Sequence, residues 1–240
     1  MTRPGFIRSV TLRRDRVPSF DAYPFSIPAV RHLETLALDP AVTFIVGENG
    51  SGKSTLVEAI ALAAGLNAEG GTTGFNFATR SSHSELHDAL RLTRGAARPQ
   101  MAFFLRAESF FNVATQVDEL DVVRHYGGRS LHEQSHGESF LAVVNNRFEA
   151  NGLYILDEPE SALSVPGCLA LLRRMHELVE EGSQFIVATH SPILMGYPGA
   201  LIHALSEDGF ERVTWEETEH YSLTRSFLES PERFFRHLFD

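Results

Sequence analysis

Short apolar runs alternate with longer amphipathic stretches along most of this chain. Continuous apolar runs of strand length predict buried strands within 41–46, 101–108, 152–159 and 184–190. Apolar residues at helical spacing predict helices over 53–66, 137–148 and 166–181. Strands that alternate with helices are typical of a mainly parallel sheet with helices on both faces. The pattern therefore predicts an α/β fold built on a central sheet.

The N-terminal part follows a different pattern. Residues 6–14 alternate between apolar and polar side chains, which predicts a strand in an antiparallel β element. The arginines that crowd this region favour either an edge strand with charged side chains or a contact with nucleic acid or another partner; they are Arg3, Arg8, Arg13, Arg14 and Arg16. A loop is expected over 68–82, followed by a polar helix over 84–94.

The C-terminal part ends in a predicted hairpin and helices. A hairpin is expected over 199–215, and one or two amphipathic helices are expected over 222–239. Phenylalanines at helical spacing in this last segment indicate either core packing or a docking surface; they are Phe227, Phe234, Phe235 and Phe239.

Composition narrows the class of protein. An apolar fraction of 43% over 240 residues suffices for one buried core, and no linker divides the chain, so we expect a single domain over 1–240. No apolar stretch approaches the ~18 residues that span a bilayer, and the chain does not begin with a signal-peptide pattern. A single cysteine, Cys168, excludes an internal disulfide framework. These features predict a cytoplasmic protein, and a net charge of −10 argues against a surface devoted to DNA.

The sequence GENGSGKS at 47–54 contains Lys53, the only lysine among 21 lysine and arginine residues. It lies between a predicted strand and a predicted helix, the context in which G-x-x-x-x-G-K-[ST] binds phosphates. Glycines let backbone N–H groups turn toward phosphate oxygens, and the helix N-terminus adds positive partial charge. Lys53 would contact the β- and γ-phosphates, and the hydroxyl of Ser54 would bind Mg²⁺. The predicted nucleotide-binding residues are Gly47, Glu48, Asn49, Gly50, Ser51, Gly52, Lys53, Ser54 and Thr55.

Two acidic residues follow the predicted strand within 152–159. Ligands of open α/β sheets gather beyond the carboxyl ends of the strands. Asp157 is therefore predicted to hold Mg²⁺ through water, and Glu158 to polarise the water that attacks the γ-phosphate. Two adjacent acids at an ordinary loop start are the alternative interpretation.

Four segments occur in a characteristic order along the chain. After the phosphate loop come SHGES at 135–139, LYILDEPESAL at 153–163 and VATHSP at 187–192. This order resembles that of the ABC-type ATPases, especially the compact soluble branch near the SMC and RecF proteins and the predicted AAA-family ATPases. The resemblance covers residues 41–192 and extends only loosely to the two ends. It implies a P-loop NTPase fold, ATP and Mg²⁺ as ligands, and a homodimer that closes around two nucleotides.

The resemblance also assigns roles to single residues. Ser135 and Gly137 of one subunit would touch the γ-phosphate bound by the other, although His136, Glu138 and Ser139 depart from the common signature. The spacing S-x-x-E from Ser135 to Glu138 independently predicts a capping box.

His190 matches the switch histidine of the family, which would hydrogen-bond the γ-phosphate; a polar residue at a strand end is the alternative. Residues 160–163 resemble the D-loop that crosses the dimer interface, with Ser164 in place of the usual aspartate.

Two further positions leave alternatives open. Glu108 stands near the expected Q-loop glutamine, and its carboxylate would bind Mg²⁺ or water; alternatively, Arg106 and Glu108 are surface charges. Tyr23 or Phe25 would stack on adenine, or would pack into the N-terminal sheet.

The sequence thus predicts an ATP hydrolase with Glu158, His190 and Lys53 as catalytic residues, in which ATP closes a dimer and drives a conformational switch. The alternatives are the ATP-binding subunit of a membrane transporter and an ATP-dependent switch in DNA repair or defence. The segment between Glu108 and Ser135 is short for the helical subdomain that grips a transporter. A nucleic-acid or protein partner stays open.

Overall fold

Two β-sheets form the framework of the computed structural model. It describes residues 5–67, 71, 85–108, 110–119 and 122–239, apart from the side chains of Gln116 and Glu119. The strands are β1 (Ile7–Leu12), β2 (Thr35–Ala37), β3 (Val42–Gly47), β4 (Leu90–Arg94), β5 (Met101–Arg106), β6 (Gly152–Asp157), β7 (Gln184–Ala188), β8 (Leu201–Ser206) and β9 (Gly209–Val213). The helices are α1 (Pro28–Arg31), α2 (Lys53–Ala64), α3 (Leu86–Ala89), α4 (Phe110–Glu119), α5 (His136–Arg147), α6 (Val165–Glu180), α7 (Pro192–Met195), α8 (Glu219–Glu229) and α9 (Pro231–Leu238).

The larger sheet has the strand order β5-β6-β7-β3-β8-β9. Its first five strands pair in parallel, and β9 returns antiparallel to β8 as the predicted hairpin. Parallel neighbours bring the carboxyl ends of β3, β6 and β7 to one edge of the sheet. The predicted α/β class with a mainly parallel sheet is confirmed.

Alternate residues of the central strands feed two separate cores. Phe44, Tyr154 and Phe185 face one cluster, which is completed by α4, α5 and α6. Ile45 and Ile155 face the other cluster, which is completed by α2 and the smaller sheet. Every residue of β6 is buried, because helices cover both faces of the sheet.

The smaller sheet is antiparallel, with the order β2-β1-β4. The antiparallel N-terminal element is therefore confirmed, but β1 is its central strand, so the prediction of an edge strand is wrong. Gln184 of β7 ties the two sheets together, since its buried amide donates to the carbonyls of Ile7 and Asp39, each at 2.8 Å, and accepts from the Ile7 N–H at 3.0 Å.

Two other local predictions need correction. The polar helix expected over 84–94 is wrong beyond α3, because β4 pairs with β1 over its whole length. Of the loop expected over 68–82, only Gly71 lies within the described residues. The C-terminal segment does form two helices, but α8 and α9 contain no buried residue, so the prediction that its phenylalanines are core is wrong. Phe239, for example, is 78% exposed.

Among the helices of the described ranges, none combines the length and the apolar character needed to cross a bilayer.

Candidate nucleotide site

The phosphate loop leaves β3 and turns sharply into α2. Gly47, Gly50 and Gly52 have φ values of +153°, +80° and +99°, which side-chain-bearing residues rarely adopt. A Cβ on Gly47 would lie 2.6 Å from the carbonyl oxygen of Leu205, so the loop also approaches β8 too closely for a larger residue. The hydroxyl of Ser51 is buried without a hydrogen-bond partner among the described residues. A buried, unpaired hydroxyl inside a glycine-rich turn suits a phosphate oxygen.

Lys53 begins α2 and points its ammonium back into the loop. The residue is 3% exposed, and Nζ donates to the carbonyl oxygen of Glu48 at 2.7 Å. Burial lowers the pKa of Lys53, while the carboxylates of Glu158, Asp157 and Glu160 oppose that change. An ammonium carries three N–H donors, so beyond its bond to Glu48 it can donate to the oxygens of a bound phosphate.

Asp157 ends β6 directly below the start of α2. It is 2% exposed, and burial raises its pKa to about 6, although Arg106 and the hydrogen bond from Ser54 act in the opposite direction. Its Oδ1 is buried without a hydrogen-bond partner among the described residues. An unpaired carboxylate oxygen beside a hydroxyl fits Mg²⁺, which prefers oxygen ligands.

The described residues contain no cluster of three or more histidine, cysteine or acidic side chains that could hold a metal by itself. Mg²⁺ is usually bound through one or two carboxylates plus substrate phosphates, so phosphate and water oxygens would complete its coordination beside Asp157 and Ser54.

Arg106 of β5 is the register partner of Asp157 in the parallel sheet. Its Nε lies 3.2 Å from Asp157 Oδ2, and its other nitrogens lie 2.8 Å from Glu58 and 3.4 Å from Glu108. Arg106 is therefore a partly buried centre of three ion pairs and not a surface charge. Glu108 has a side chain that is 76% exposed, and it reaches Asp157 only through Arg106.

Glu158 occupies the left-handed region, with φ 47° and ψ 52°. Its backbone N–H donates to the carbonyl oxygen of Ala188 at 2.9 Å, which holds the ends of β6 and β7 together. Glu158 Oε1 lies 3.4 Å from Nε2 of His190, the residue two positions beyond β7. A non-glycine residue in the left-handed region costs about 1 kcal/mol, so the fold holds Glu158 in a strained backbone conformation.

Comparisons with known proteins agree with this geometry. A family described as "AAA domain" matches residues 23–136. An "Uncharacterized ABC transporter ATP-binding protein" of Haemophilus influenzae is 27% identical over 128 residues, which cover 51% of this chain and 47% of the relative. The match thus spans about half the length of this curated relative.

Solved structures extend the comparison over most of the chain. An inward-facing metal-chelate type ABC transporter aligns with a TM-score of 0.51 and 18% identity over 93% of this chain and 89% of that one. The chain has the fold of the ABC-type P-loop ATPases. The SMC head domain from Thermotoga maritima aligns with a TM-score of 0.47 and 17% identity, over 87% of this chain and 98% of that one. The resemblance predicted from the sequence is confirmed by these matches.

The signature-like segment at 135–139 forms the start of helix α5. The predicted capping box is present, since Ser135 accepts from the Glu138 N–H while Glu138 accepts from the Ser135 N–H at 3.0 Å and from its hydroxyl at 2.7 Å. The phosphate loop borders a cavity of about 640 Å³ that β8, β9 and the start of α8 complete, and neither Ser135 nor Gly137 lines it. Ser135 is exposed and begins α5 at the surface.

The two candidate aromatic residues differ in position. Phe25 is 2% exposed and packs in the core with the smaller sheet, so it is not available to stack on adenine. Tyr23 is 71% exposed and keeps that role as a prediction.

Two residues near His190 were not predicted from the sequence as members of the site. The Glu160 carboxylate accepts a hydrogen bond from the Thr189 hydroxyl at 2.8 Å and another from the His190 backbone N–H. His220, in the first turn of α8, lies within hydrogen-bond distance of the His190 ring. Glu160 stands in the D-loop segment, which was a usable signal, whereas no motif marks His220.

Proposed function

We propose that this chain binds Mg-ATP on the phosphate loop and hydrolyses it, and that two copies close around two nucleotides. The convergence of the Lys53 ammonium, two carboxylates and the His190 imidazole at the ends of adjacent strands is the observation that carries the proposal. The ABC-type fold supports the same conclusion. A site that only binds phosphate needs neither the carboxylate of Glu158 nor the imidazole of His190 beside it.

Different residues of the chain would have different roles in hydrolysis. Loop amides and Lys53 would neutralise the β- and γ-phosphates, and this neutralisation strengthens as charge develops in the transition state. Glu158 would orient the attacking water and accept its proton. His190 would donate from Nε2 to the γ-phosphate or to the water. Asp157 and Ser54 would hold Mg²⁺, which when bound stabilises the charge on the phosphate oxygens.

The proposed dimer gives the signature-like segment a role. Ser135 and Gly137 begin a 12-residue helix, and the N-terminus of a helix attracts anions. The proposal assigns both residues to the γ-phosphate of a second copy, as the resemblance to ABC-type ATPases implies. A two-fold dimer would then contain two identical composite sites.

The substitution Glu158→Gln tests the catalytic assignment. It keeps the shape of the side chain but removes the base, so we expect kcat to fall by about 10²–10⁴-fold while ATP binding is retained. Steady-state phosphate release and equilibrium binding of a fluorescent ATP analogue measure the two quantities. Glu232→Gln, an exposed substitution on α9, is the matched control. A Glu158→Gln protein that hydrolyses ATP at the wild-type rate would refute the assignment.

The same variant tests dimerisation. Because it holds ATP without turnover, we expect light scattering after size exclusion to show a dimer with ATP and Mg²⁺ and a monomer without them. A mass that stays monomeric with saturating nucleotide rejects the composite site and leaves the hydrolysis proposal standing.

A transporter subunit is the second candidate, because the curated relative carries the name of an ABC transporter ATP-binding protein. Affinity purification of the tagged chain from detergent-solubilised membranes would recover a membrane-spanning partner in stoichiometric amount. Recovery only from the soluble fraction would exclude this candidate.

A further inference from the structure

The first turn of α8 places a second histidine beside the switch histidine. His190 Nδ1 and His220 Nε2 lie 2.9 Å apart, with the rings inclined at 60°. At this distance the two nitrogens share one proton, so one ring donates and the other accepts. Residue 220 lies outside the segments that resemble known motifs, and nothing in those motifs assigns it a role.

Other contacts hold His220 in this position. Trp215 Nε1 donates to the carbonyl oxygen of Pro192 at 2.8 Å, which ties the segment before α8 to the segment after His190. The buried Thr218 caps α8, donating from its hydroxyl to the Trp215 carbonyl at 2.7 Å and accepting from the Tyr221 N–H. The Trp215–Pro192 hydrogen bond therefore joins the same two chain segments as the contact between His220 and His190, and it does so independently of the histidines.

The surroundings of His190 decide which ring donates. His190 Nε2 is buried, has no hydrogen-bond partner among the described residues, and points toward Glu158 Oε1 at 3.4 Å. Since an ionised carboxylate only accepts, Nε2 is favourably placed there when it carries the proton. A neutral His190 protonated on Nε2 has a bare Nδ1, and that nitrogen must accept from the Nε2–H of His220. The hydrogen bond to His220 therefore selects the Nε2–H tautomer of His190.

The charges around His220 favour its neutral form, which has one proton to donate. Burial lowers the pKa of His220, and His190 and Lys53 lower it further, while Glu219 and Glu160 oppose this effect.

We propose that His220 is a positioning residue for ATP hydrolysis, which holds the switch histidine in the tautomer that presents Nε2–H to the γ-phosphate. The inference rests on the proposed function, because the tautomer matters for turnover only if His190 donates to the phosphate or to the attacking water. Without His220, His190 is free to place its proton on Nδ1 and turn a lone pair toward the phosphate. Binding would survive this change better than catalysis, since the loop and Lys53 hold the nucleotide.

Kinetics of matched variants test the role in turnover. His220→Phe keeps a ring but removes the donor. We expect kcat to fall about 10–100-fold, which is the value of the lost hydrogen bond from His190 to the charged γ-phosphate, and KM to stay nearly unchanged. His220→Gln restores an N–H donor and is expected to recover most of that rate. Ser222→Ala, on the same helix and exposed, is the control. Equal kcat in His220→Phe and the wild type, or no difference between the Phe and Gln variants, would overturn the inference.

Nitrogen NMR of ¹⁵N-histidine-labelled protein tests the tautomer directly, with signals of His190 assigned from a His190→Gln sample. We expect Nε2–H in the wild type, both without nucleotide and with a non-hydrolysable ATP analogue, and a shift toward Nδ1–H in His220→Phe. An Nδ1–H tautomer in the wild type overturns the inference even if the Phe variant fails to fold. A wild type that hydrolyses no ATP overturns the proposed function instead, and with it any role for His220 in turnover.

Discussion

At the scale of single residues, the environment of Lys53 explains why this arginine-rich chain has a lysine here. The residue is 3% exposed, and its Nζ already donates to the Glu48 carbonyl oxygen at 2.7 Å. An ammonium is compact, whereas a guanidinium is a planar fork that needs more room and fixed donor directions. Burial lowers the pKa of Lys53 by more than the neighbouring carboxylates raise it. Phosphate oxygens would supply the missing partners.

The substitution Lys53→Arg tests this explanation because it keeps the charge and changes only its shape. We expect the Kd for ATP to rise at least about tenfold, the value of one charge-assisted hydrogen bond, with little change in thermal stability. Titration with a fluorescent ATP analogue measures the Kd. The reverse exchange Arg173→Lys, at a side chain of α6 that is 84% exposed, is the control and should leave the Kd unchanged. Equal affinity in Lys53→Arg and wild type would show that charge alone matters.

Residues within contiguous motifs were accessible from the sequence, whereas residues that meet through the fold were not. Lys53, Asp157 and Glu158 follow strands whose parallel pairing brings them to one edge, so their neighbourhood follows from the pattern of strands. His220 reaches His190 only because the segment before α8 folds back over Pro192. Periodicity carries no information about such a contact between distant segments, because it reports which face is buried and not what covers it.

At the scale of whole elements, the predicted strands and helices of the central sheet are confirmed, and the errors have a common cause. Leu86 and Leu90 are spaced like helical neighbours, but Leu90 and Leu92 lie on β4, where pairing with β1 decides the conformation. The phenylalanines of α9 show helical spacing correctly but do not join the core, because Phe234 and Phe235 contact Phe227 of α8 and α8 itself contains no buried residue. Local spacing predicts the type of element correctly only where the tertiary contacts favour the same conformation.

Helix α5 offers a prediction at this scale, because its capping box orders the signature segment. Hydrogen bonds from the Ser135 hydroxyl and N–H lower the pKa of Glu138, so its ionised form stabilises the folded state. We expect Glu138→Ala to lower the Tm, while Glu138→Gln, which keeps an acceptor, lowers it less. Circular dichroism melts at low ionic strength measure the difference, since the site is exposed and screened by salt.

The sign of the pH dependence follows from the direction of that pKa change. A carboxyl whose folded pKa is depressed contributes stability above its unfolded value of 4.5, and the contribution disappears as pH falls through the folded pKa. The gap in Tm between wild type and Glu138→Ala should therefore narrow in acid, and the gap between Glu138→Gln and Glu138→Ala should not. A gap that widens below pH 4.5 would contradict the capping assignment.

At the scale of the whole molecule, the fold separates two halves of the proposed site. The phosphate loop, Asp157, Glu158 and His190 gather at one edge of the larger sheet, whereas Ser135 is exposed and caps the start of α5. If the signature acts on the nucleotide of a second copy, inactive variants from the two halves must complement each other. Variants from the same half must not.

Mixing Lys53→Ala with Ser135→Ala protein tests this complementation. Random exchange makes half of the dimers mixed, and each mixed dimer has one site with both residues and one with neither, so ATPase activity should approach about a quarter of wild type. Mixing Lys53→Ala with Glu158→Gln is the matched control, because both residues serve the same nucleotide and every site stays defective. Recovery in the first mixture alone supports the composite site. Activity equal to the mean of the separate variants in both mixtures would mean that each copy works by itself.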